Sequence, residues 1–132
     1  MPLSPKIKEY GFIFIIPSLI IILALFIDAA TSPYWLRFDP TYAYLLNGLN
    51  LLKGLPPVDV FHPGTPLQML CAAVYWILNI SQPLPKIVEN VLTAPEFYLH
   101  AVHAVLLTAL FASSALVSGY LYHKTRDKIA AL

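Results

Sequence analysis

Three side chains that are common metal ligands recur at helical spacing near the beginning of the last apolar run. Glu96, His100 and His103 are separated by four and three positions, so on a helix they share one face. A carboxylate and two imidazoles could bind zinc or iron there. The spacing differs from the Glu-x-x-His motif of di-iron bundles, and both histidines could instead hydrogen-bond neighbouring helices or lipid headgroups. The triplet predicts either a metal or haem site or an ordinary polar helix end.

A second group of chemically versatile residues follows the first apolar run. Asp39 precedes Pro40, which is typical of a helix start, because the carboxylate accepts hydrogen bonds from unpaired backbone N–H groups and proline suits the first helical position. Gly54 is a suitable helix end. Between them, apolar residues recur on one helical face: Tyr42, Leu45, Leu46, Leu49 and Leu52. The pattern predicts an amphipathic helix along the membrane surface, whose other faces carry Asn47, Asn50 and Lys53.

A proline-rich connection, LPPVDVFHPGTPLQML at residues 55–70, comes next. It brings Asp59 and His62 close together along the chain, and it ends at Thr65 and Pro66, a second predicted cap and first helical position. A histidine in such a loop has no core to fill, so His62 is available to bind a ligand or to hydrogen-bond Asp59. Residues 81–95 form another polar stretch, which predicts a loop holding a short helix.

The elements that carry these residues are predicted to be membrane helices. Hydrophobic residues make up 58% of the 132 residues and charged ones only 11%, whereas a soluble domain has about 25% charged residues. Uncharged apolar stretches predict spans at 11–27, 65–80 and 98–122, to cross about 30 Å of hydrocarbon; the second is short enough to be tilted or re-entrant. The predicted fold class is all-α integral membrane, with about three transmembrane helices and an amphipathic interfacial helix in the first extracytoplasmic loop.

Other readings of the composition are less favoured. Lys6 and Lys8 precede the first apolar stretch, as in a secretory signal, but Asp28 stands before the small residues where a peptidase would need an A-x-A-like site, so an uncleaved anchor is favoured. The net charge of +1 gives no indication of nucleic-acid binding. Cys71 is the single cysteine, so no intramolecular disulfide can form.

The last apolar stretch carries a row of small residues. They recur at spacings of three or four positions and therefore share one helical face: Ala101, Ala104, Thr108, Ala112, Ala115 and Gly119. In lipid, small residues let helix backbones approach closely. The row predicts a tightly packed partner helix, from this chain or from a larger bundle, although alanine is also common in membrane helices generally.

The order of residues 38–67 resembles the first extracytoplasmic loop of GT-C-type integral membrane glycosyltransferases, in the protein O-mannosyltransferase and aminoarabinose transferase branch. There an acid, often Asp-Glu, precedes a helix of the form A-x-N-L-L-x-G and then H-P-P-L or K-P-P-L. The matching positions are Asp39, the run from Leu46 to Gly54, and the stretch from His62 to Leu67. Two departures occur: Pro40 follows Asp39 in place of glutamate, and Gly64 with Thr65 separates the two prolines.

This resemblance implies transfer of a sugar from a polyprenyl-phosphate donor to an acceptor hydroxyl. Asp39 would be the catalytic general base, which must be ionised and within about 3 Å of the acceptor proton. The leaving phosphate needs cations or donors, and the predicted substrate-binding residues are Arg37, Lys53, Asp59 and His62. For Arg37 and Lys53, snorkelling of an interfacial side chain is the competing interpretation. No cofactor is implied, and a divalent metal is possible without being indicated.

The same resemblance implies that 1–132 is one membrane domain at the N-terminus of a larger bundle, inactive without further C-terminal helices or a partner membrane subunit. It implies a bacterial inner or plasma membrane with a cytoplasmic N-terminus. With three spans, that orientation leaves three basic residues inside and five outside, against the positive-inside rule; a re-entrant second segment would remove the conflict. A small helical scaffold subunit and a metal or haem membrane protein remain the alternative functions.

Overall fold

The computed structural model describes residues 11–30, 41–58, 64–127 and 129. Every regular element among these residues is helical, which confirms the predicted all-α class. A 3-10 turn, Gly11–Phe14, leads into the first α-helix, and the elements follow in this order: α1 Ile15–Ala30, α2 Thr41–Leu52, α3 Thr65–Leu78, α4 Leu84–Thr93 and α5 Pro95–Thr125. The short helix predicted within 81–95 is therefore confirmed as α4.

The chain divides into two compact units. We call Met1–Thr31 with Val105–Leu132 the hairpin unit, and Ser32–Ala104 the core unit. Helix α5 contributes its first part to the core unit and its remainder to the hairpin unit. The earlier expectation of one membrane domain continued by further helices stays a prediction.

Helix α2 ends as the sequence predicts. Gly54 has φ +73°, a backbone conformation that glycine adopts without steric cost. The Leu55 N–H donates to the Asn50 carbonyl (2.9 Å) and the Gly54 N–H donates to the Leu51 carbonyl (3.0 Å). This pair of bonds is the Schellman arrangement, which satisfies carbonyls that the last helical turn would otherwise leave without partners.

Helix α3 begins one residue earlier than expected. Thr65 is the first helical residue and Gly64 occupies the cap position, with no side-chain cap hydrogen bond. Gly64 is buried, and a Cβ at this position would clash with the ring of Tyr44. The absence of a side chain at Gly64 thus lets the Tyr44 ring pack here.

Helices α2 and α3 approach closely and run in the same general direction. Near the beginnings of the two helices, Tyr44 contacts Gly64. Further along both helices, Gly48 approaches Cys71. A Cβ on Gly48 would lie 2.7 Å from the Cys71 Cβ and 3.3 Å from the Ala72 backbone nitrogen. Around this contact, the core unit buries a continuous apolar cluster that includes Leu45, Leu49, Val74, Tyr75, Ile87, Val91, Tyr98, Leu99 and Val102.

Asn79 ties three elements of the core unit together. Its Nδ2 donates to the Tyr75 carbonyl (2.8 Å) and to the Tyr98 hydroxyl (3.1 Å), and its Oδ1 accepts from Asn90 Nδ2 (2.9 Å). The residue is buried, so these bonds replace those that water would make. The end of α3 is thereby fixed to α4 and to the beginning of α5.

In the hairpin unit, α1 and the second part of α5 are antiparallel. The rings of Phe12 and Tyr122 pack edge to face with centroids 4.9 Å apart. Toward the other end of this helix pair, Ile21 lies with Leu107 and Phe111 around a small cavity. Helix Pro95–Thr125 is long and apolar enough to cross a membrane. The other apolar helices in the described part of the chain, Gly11–Phe26 and Thr65–Leu78, are shorter, so the count of three spans stays a prediction.

Candidate functional site

Most of the predicted site lies outside the described residues. This holds for the predicted base, Asp39, and for Arg37, Asp59 and His62. Lys53 is described: it follows the last helical residue of α2, is exposed, and lines a cavity in the core unit. Of the predicted site residues, Lys53 is thus the one that the structure describes, beside this cavity.

The cavity has a volume of about 590 Å³, within the roughly 300 to 1,000 Å³ of ligand pockets. Helix α2 forms one side, helix α4 another, and Val58 belongs to the connection that follows α2. The lining is mainly apolar, and its polar members are two asparagines and one lysine. The lining residues are Ala43, Leu46, Asn47, Leu49, Asn50, Lys53, Val58, Val88 and Leu92. None of these described lining residues carries a carboxylate.

Asn47 is the most deeply buried polar group at the cavity, at 2% exposure. Its Oδ1 accepts a hydrogen bond from the Val58 backbone N–H at 2.9 Å. Its Nδ2 is buried and has no hydrogen-bond partner among the residues that the structure describes. A buried donor without a partner costs roughly 1 to 3 kcal/mol.

The beginnings of α2 and α3, the two helices predicted from residues 38–67, lie close together. The Tyr44 ring, in the first turn of α2, packs against Gly64 immediately before α3. On the same turn of α2, the Tyr42 hydroxyl donates to Glu96 Oε1 at 3.1 Å and ties α2 to the beginning of α5. Burial, and then the hydrogen bond and negative charge of Glu96, raise the pKa of Tyr42.

The predicted metal triplet does not form a ligand group. The Glu96 carboxylate accepts the hydrogen bond from Tyr42. His100 Nδ1 lies 2.7 Å from the Glu96 backbone carbonyl and donates to it when the proton is on Nδ1. In residues 11–30, 41–58, 64–127 and 129, no three His, Cys, Asp or Glu side chains are placed to hold a metal ion. Residues on one helical face are separated along the axis, and no neighbouring helix among the described residues completes a group of three ligands.

The sequence interpretation also missed the role of Asn47. It was assigned to a polar outer face of α2, whereas the structure buries Asn47 and Gly48 together and leaves Leu46 50% exposed. The signal that could have indicated this is Gly48 in a helix interior, where glycine is unfavourable unless another backbone approaches closely. The buried face of α2 is therefore rotated toward the glycine.

Comparison with protein-family models, with curated proteins and with solved structures finds no match to this chain.

Proposed function

We propose that this chain is the N-terminal part of a GT-C-type membrane glycosyltransferase, which transfers a sugar from a polyprenyl-phosphate donor to an acceptor hydroxyl. The observation that carries the proposal is the packing of the two helices that the motif 38–67 predicts. They begin side by side, with Tyr44 against Gly64. In the sequence, Asp39 precedes α2 by two residues and His62 precedes Gly64 by two, so each of these proposed site residues is close along the chain to one of the two helix starts.

Membrane insertion is proposed for the hairpin unit. The part of α5 from Val105 to Thr125 is about 31 Å long at 1.5 Å per residue, which matches the hydrocarbon thickness of about 30 Å. Only 11% of the most apolar 18-residue window of this helix is buried. Its apolar side chains therefore face outward, as lipid contact requires.

An antiparallel hairpin gives a different topology from three spans. If α1 and α5 both cross, the segment before α1 lies on the same side as the last turn of α5 and the residues after it. Together they carry five basic residues: Lys6, Lys8, Lys124, Arg126 and Lys128. The intervening chain then carries three, Arg37, Lys53 and Lys86. This count agrees with a cytoplasmic N-terminus under the positive-inside rule. Helix α3 need not cross, because its 14 residues span only about 21 Å.

Cysteine labelling tests this topology. In a Cys71→Ala background, we expect an impermeant thiol reagent to modify Glu89→Cys in intact cells and Lys124→Cys only after lysis, because the two positions lie on opposite sides of the bilayer. Both wild-type residues are exposed. Modification of both from the same side would rule out the hairpin topology.

The transfer reaction is tested at Asp39. Asparagine caps a helix about as well as aspartate, but it cannot accept the hydroxyl proton. In the complete enzyme that contains this chain, we expect Asp39→Asn to lower turnover by about 100-fold or more, in the range of general-base removal, with unchanged stability. Asp39→Ala should also lose about 1 kcal/mol of stability. Normal transfer by Asp39→Asn would leave the residue as a cap only.

A scaffold subunit is the second candidate, favoured by the row of small residues. Gly119 faces the Ile13 side chain within the hairpin unit, at 3.9 Å from its virtual Cβ, whereas Ala104 and Ala112 are exposed. The exposed part of the row suits close packing of a further helix. If Ala112→Leu abolishes co-purification of a partner membrane protein and Asp39→Asn has no effect on any transfer, the scaffold function is favoured.

A further inference from the structure

The end of α5 carries two basic side chains beyond its apolar length. Lys124 belongs to the last helical turn, Arg126 follows the helix, and both are exposed. Neither forms an ion pair within the part of the chain that the structure describes. The neighbouring acid, Asp127, uses its Oδ1 to accept a hydrogen bond from the Ile129 N–H at 2.8 Å. The two positive charges are therefore available to an anion from outside this segment.

An aromatic ring holds the Lys124 ammonium in place. Lys124 Nζ lies over the ring of Tyr120, 5.9 Å from its centroid, and Tyr120 is 62% exposed. The two residues are four positions apart, so the ammonium is directed about one turn back along α5, toward the proposed span. Tyrosine rings are enriched at the headgroup level of membranes. If α5 crosses the bilayer, this contact places a cation where lipid headgroups lie.

The backbone after α5 orients Arg126. This residue has φ +57°, a left-handed conformation that is unusual for arginine, and its N–H donates to the Tyr122 carbonyl at 2.8 Å. The Asp127 N–H then donates to Thr125 Oγ1 at 3.2 Å. Glycine would adopt the same conformation without steric cost, so the presence of arginine favours a role for its side chain.

We infer that the end of α5 binds the anionic headgroup of a two-chain bilayer lipid, with Lys124 and Arg126 contacting the headgroup and Tyr120 positioning Lys124. Charge complementarity favours this occupant, because basic residues at the end of a membrane helix attract anionic lipids and arginine can donate two parallel hydrogen bonds to a phosphate. The inference rests on the bilayer location proposed for the hairpin unit. It uses none of the predicted substrate-binding residues, which the proposed topology places on the other side of the membrane.

Lipid selectivity is tested on the complete 132-residue chain in neutral maltoside micelles, by native mass spectrometry of individual bound lipids. The probes are dioleoylphosphatidylglycerol, dioleoylphosphatidylcholine and glycerol 3-phosphate. We expect the first phosphatidylglycerol to bind about tenfold or more tightly than either other probe, because two basic residues contribute. Equal binding of phosphatidylcholine would overturn the anionic headgroup. Equal binding of glycerol 3-phosphate would mean that the site takes a free phosphate, and the lipid assignment would be wrong.

Single variants locate the site. Lys124→Gln keeps a polar side chain without the charge, and Arg126→Asn places a residue that tolerates the left-handed conformation. Each should weaken binding of phosphatidylglycerol by about fivefold and leave binding of phosphatidylcholine unchanged. Tyr120→Leu removes the ring and should weaken binding by about two- to fivefold, whereas Tyr120→Phe keeps the ring and should bind normally. Equal binding by the Leu and Phe variants would remove the positioning role of Tyr120.

A lysine of the core unit provides the control. Lys86 is also exposed, but it pairs with Glu89 at 2.9 Å on α4, so Lys86→Gln should bind phosphatidylglycerol as the unaltered chain does. Equal weakening by Lys86→Gln and Lys124→Gln would show general attraction to basic residues and reject the site.

Cysteine labelling separates this inference from the proposed topology. If labelling supports the hairpin topology and phosphatidylglycerol has no preference over phosphatidylcholine, the lipid site fails while the topology stands. If labelling contradicts the hairpin topology, the assignment to a bilayer lipid fails with it.

Discussion

The two units of this protein differ in how many of their apolar side chains they bury, because the continuous buried cluster lies in the core unit. In the core unit, Leu45 is 1% exposed and Tyr75 and Val91 are fully buried, whereas in the hairpin unit Phe26 is 71% exposed and Leu116 74%. Burial from water stabilises the first arrangement. The second leaves apolar surface exposed, which agrees with the bilayer location that we propose for the hairpin unit.

Polar side chains show the same difference. Asn79 in the core unit bonds to groups of three helices, while Ser113 and Ser114 in α5 donate back to carbonyls of their own helix, Ala109 and Leu110, each at 2.7 Å. Such a bond to a carbonyl one turn earlier satisfies a hydroxyl without water. Asn79 therefore links helices, whereas these two hydroxyls of α5 bond within their own helix.

The largest predicted effect tests the lipid assignment. Leu116 lies near the middle of the proposed span, so Leu116→Arg should disfavour membrane insertion by about 3 kcal/mol or more. The fraction inserted can be measured with a glycosylation reporter in microsomal membranes. Leu116→Ala is the matched control and should insert nearly normally. An unchanged inserted fraction for Leu116→Arg would mean that this position faces water or a polar partner.

The second prediction concerns the closest helix contact in the core unit. Gly48→Leu should destabilise the chain by about 2 to 3 kcal/mol, because the added side chain meets Cys71 and the backbone of α3. Urea unfolding in detergent, followed by circular dichroism, measures the change. At Gly11 a Cβ would have nothing within 4 Å, so Gly11→Ala should have little effect. Equal stability of both variants would show that α2 and α3 are not closely packed.

The third prediction concerns the hydrogen bonds of Asn79. Asn79→Ala removes side-chain bonds to three partners and should lower the free energy of unfolding by about 2 kcal/mol, at roughly 0.5 to 1.5 kcal/mol per bond. Asn90→Ala removes one of those bonds and should cost about 1 kcal/mol. The same urea titration compares them. A smaller loss for Asn79→Ala than for Asn90→Ala would contradict a central role for Asn79.

The smallest predicted effect concerns the link between Tyr42 and Glu96. Tyr42→Phe removes one hydrogen bond and should cost about 1 kcal/mol near pH 7. Because the pKa of Tyr42 is raised above its usual value of 10.0, this group's contribution is present below pH 10 and falls as the pH rises toward the folded-state pKa. Unfolding measured from pH 8 to 11 should therefore show a steeper alkaline loss for the unaltered chain than for Tyr42→Phe. Parallel curves would contradict the bond.

Local features were predictable where the cause is local. The helix that begins after Asp39 and Pro40, its end at Gly54, and the short helix within 81–95 all follow from caps, proline positions and periodicity. The first residue of α3 was misplaced by one position, because Thr65 was expected to cap through its side chain and Gly64 takes that position to make room for Tyr44. The predicted base and three of its predicted substrate contacts fall outside the described residues.

The sequence by itself determined the all-helical class and the apolar length of α5, because both depend on composition and on residues a few positions apart. The tertiary structure alone decided that Asn47 is buried and Leu46 exposed, that Lys53 lines a cavity, and that Glu96 bonds Tyr42 in place of a metal group. These outcomes depend on contacts between residues separated by 11 to 54 positions. Periodicity orders the residues around one helix, but only the close approach at Gly48 selects which side of that helix is buried.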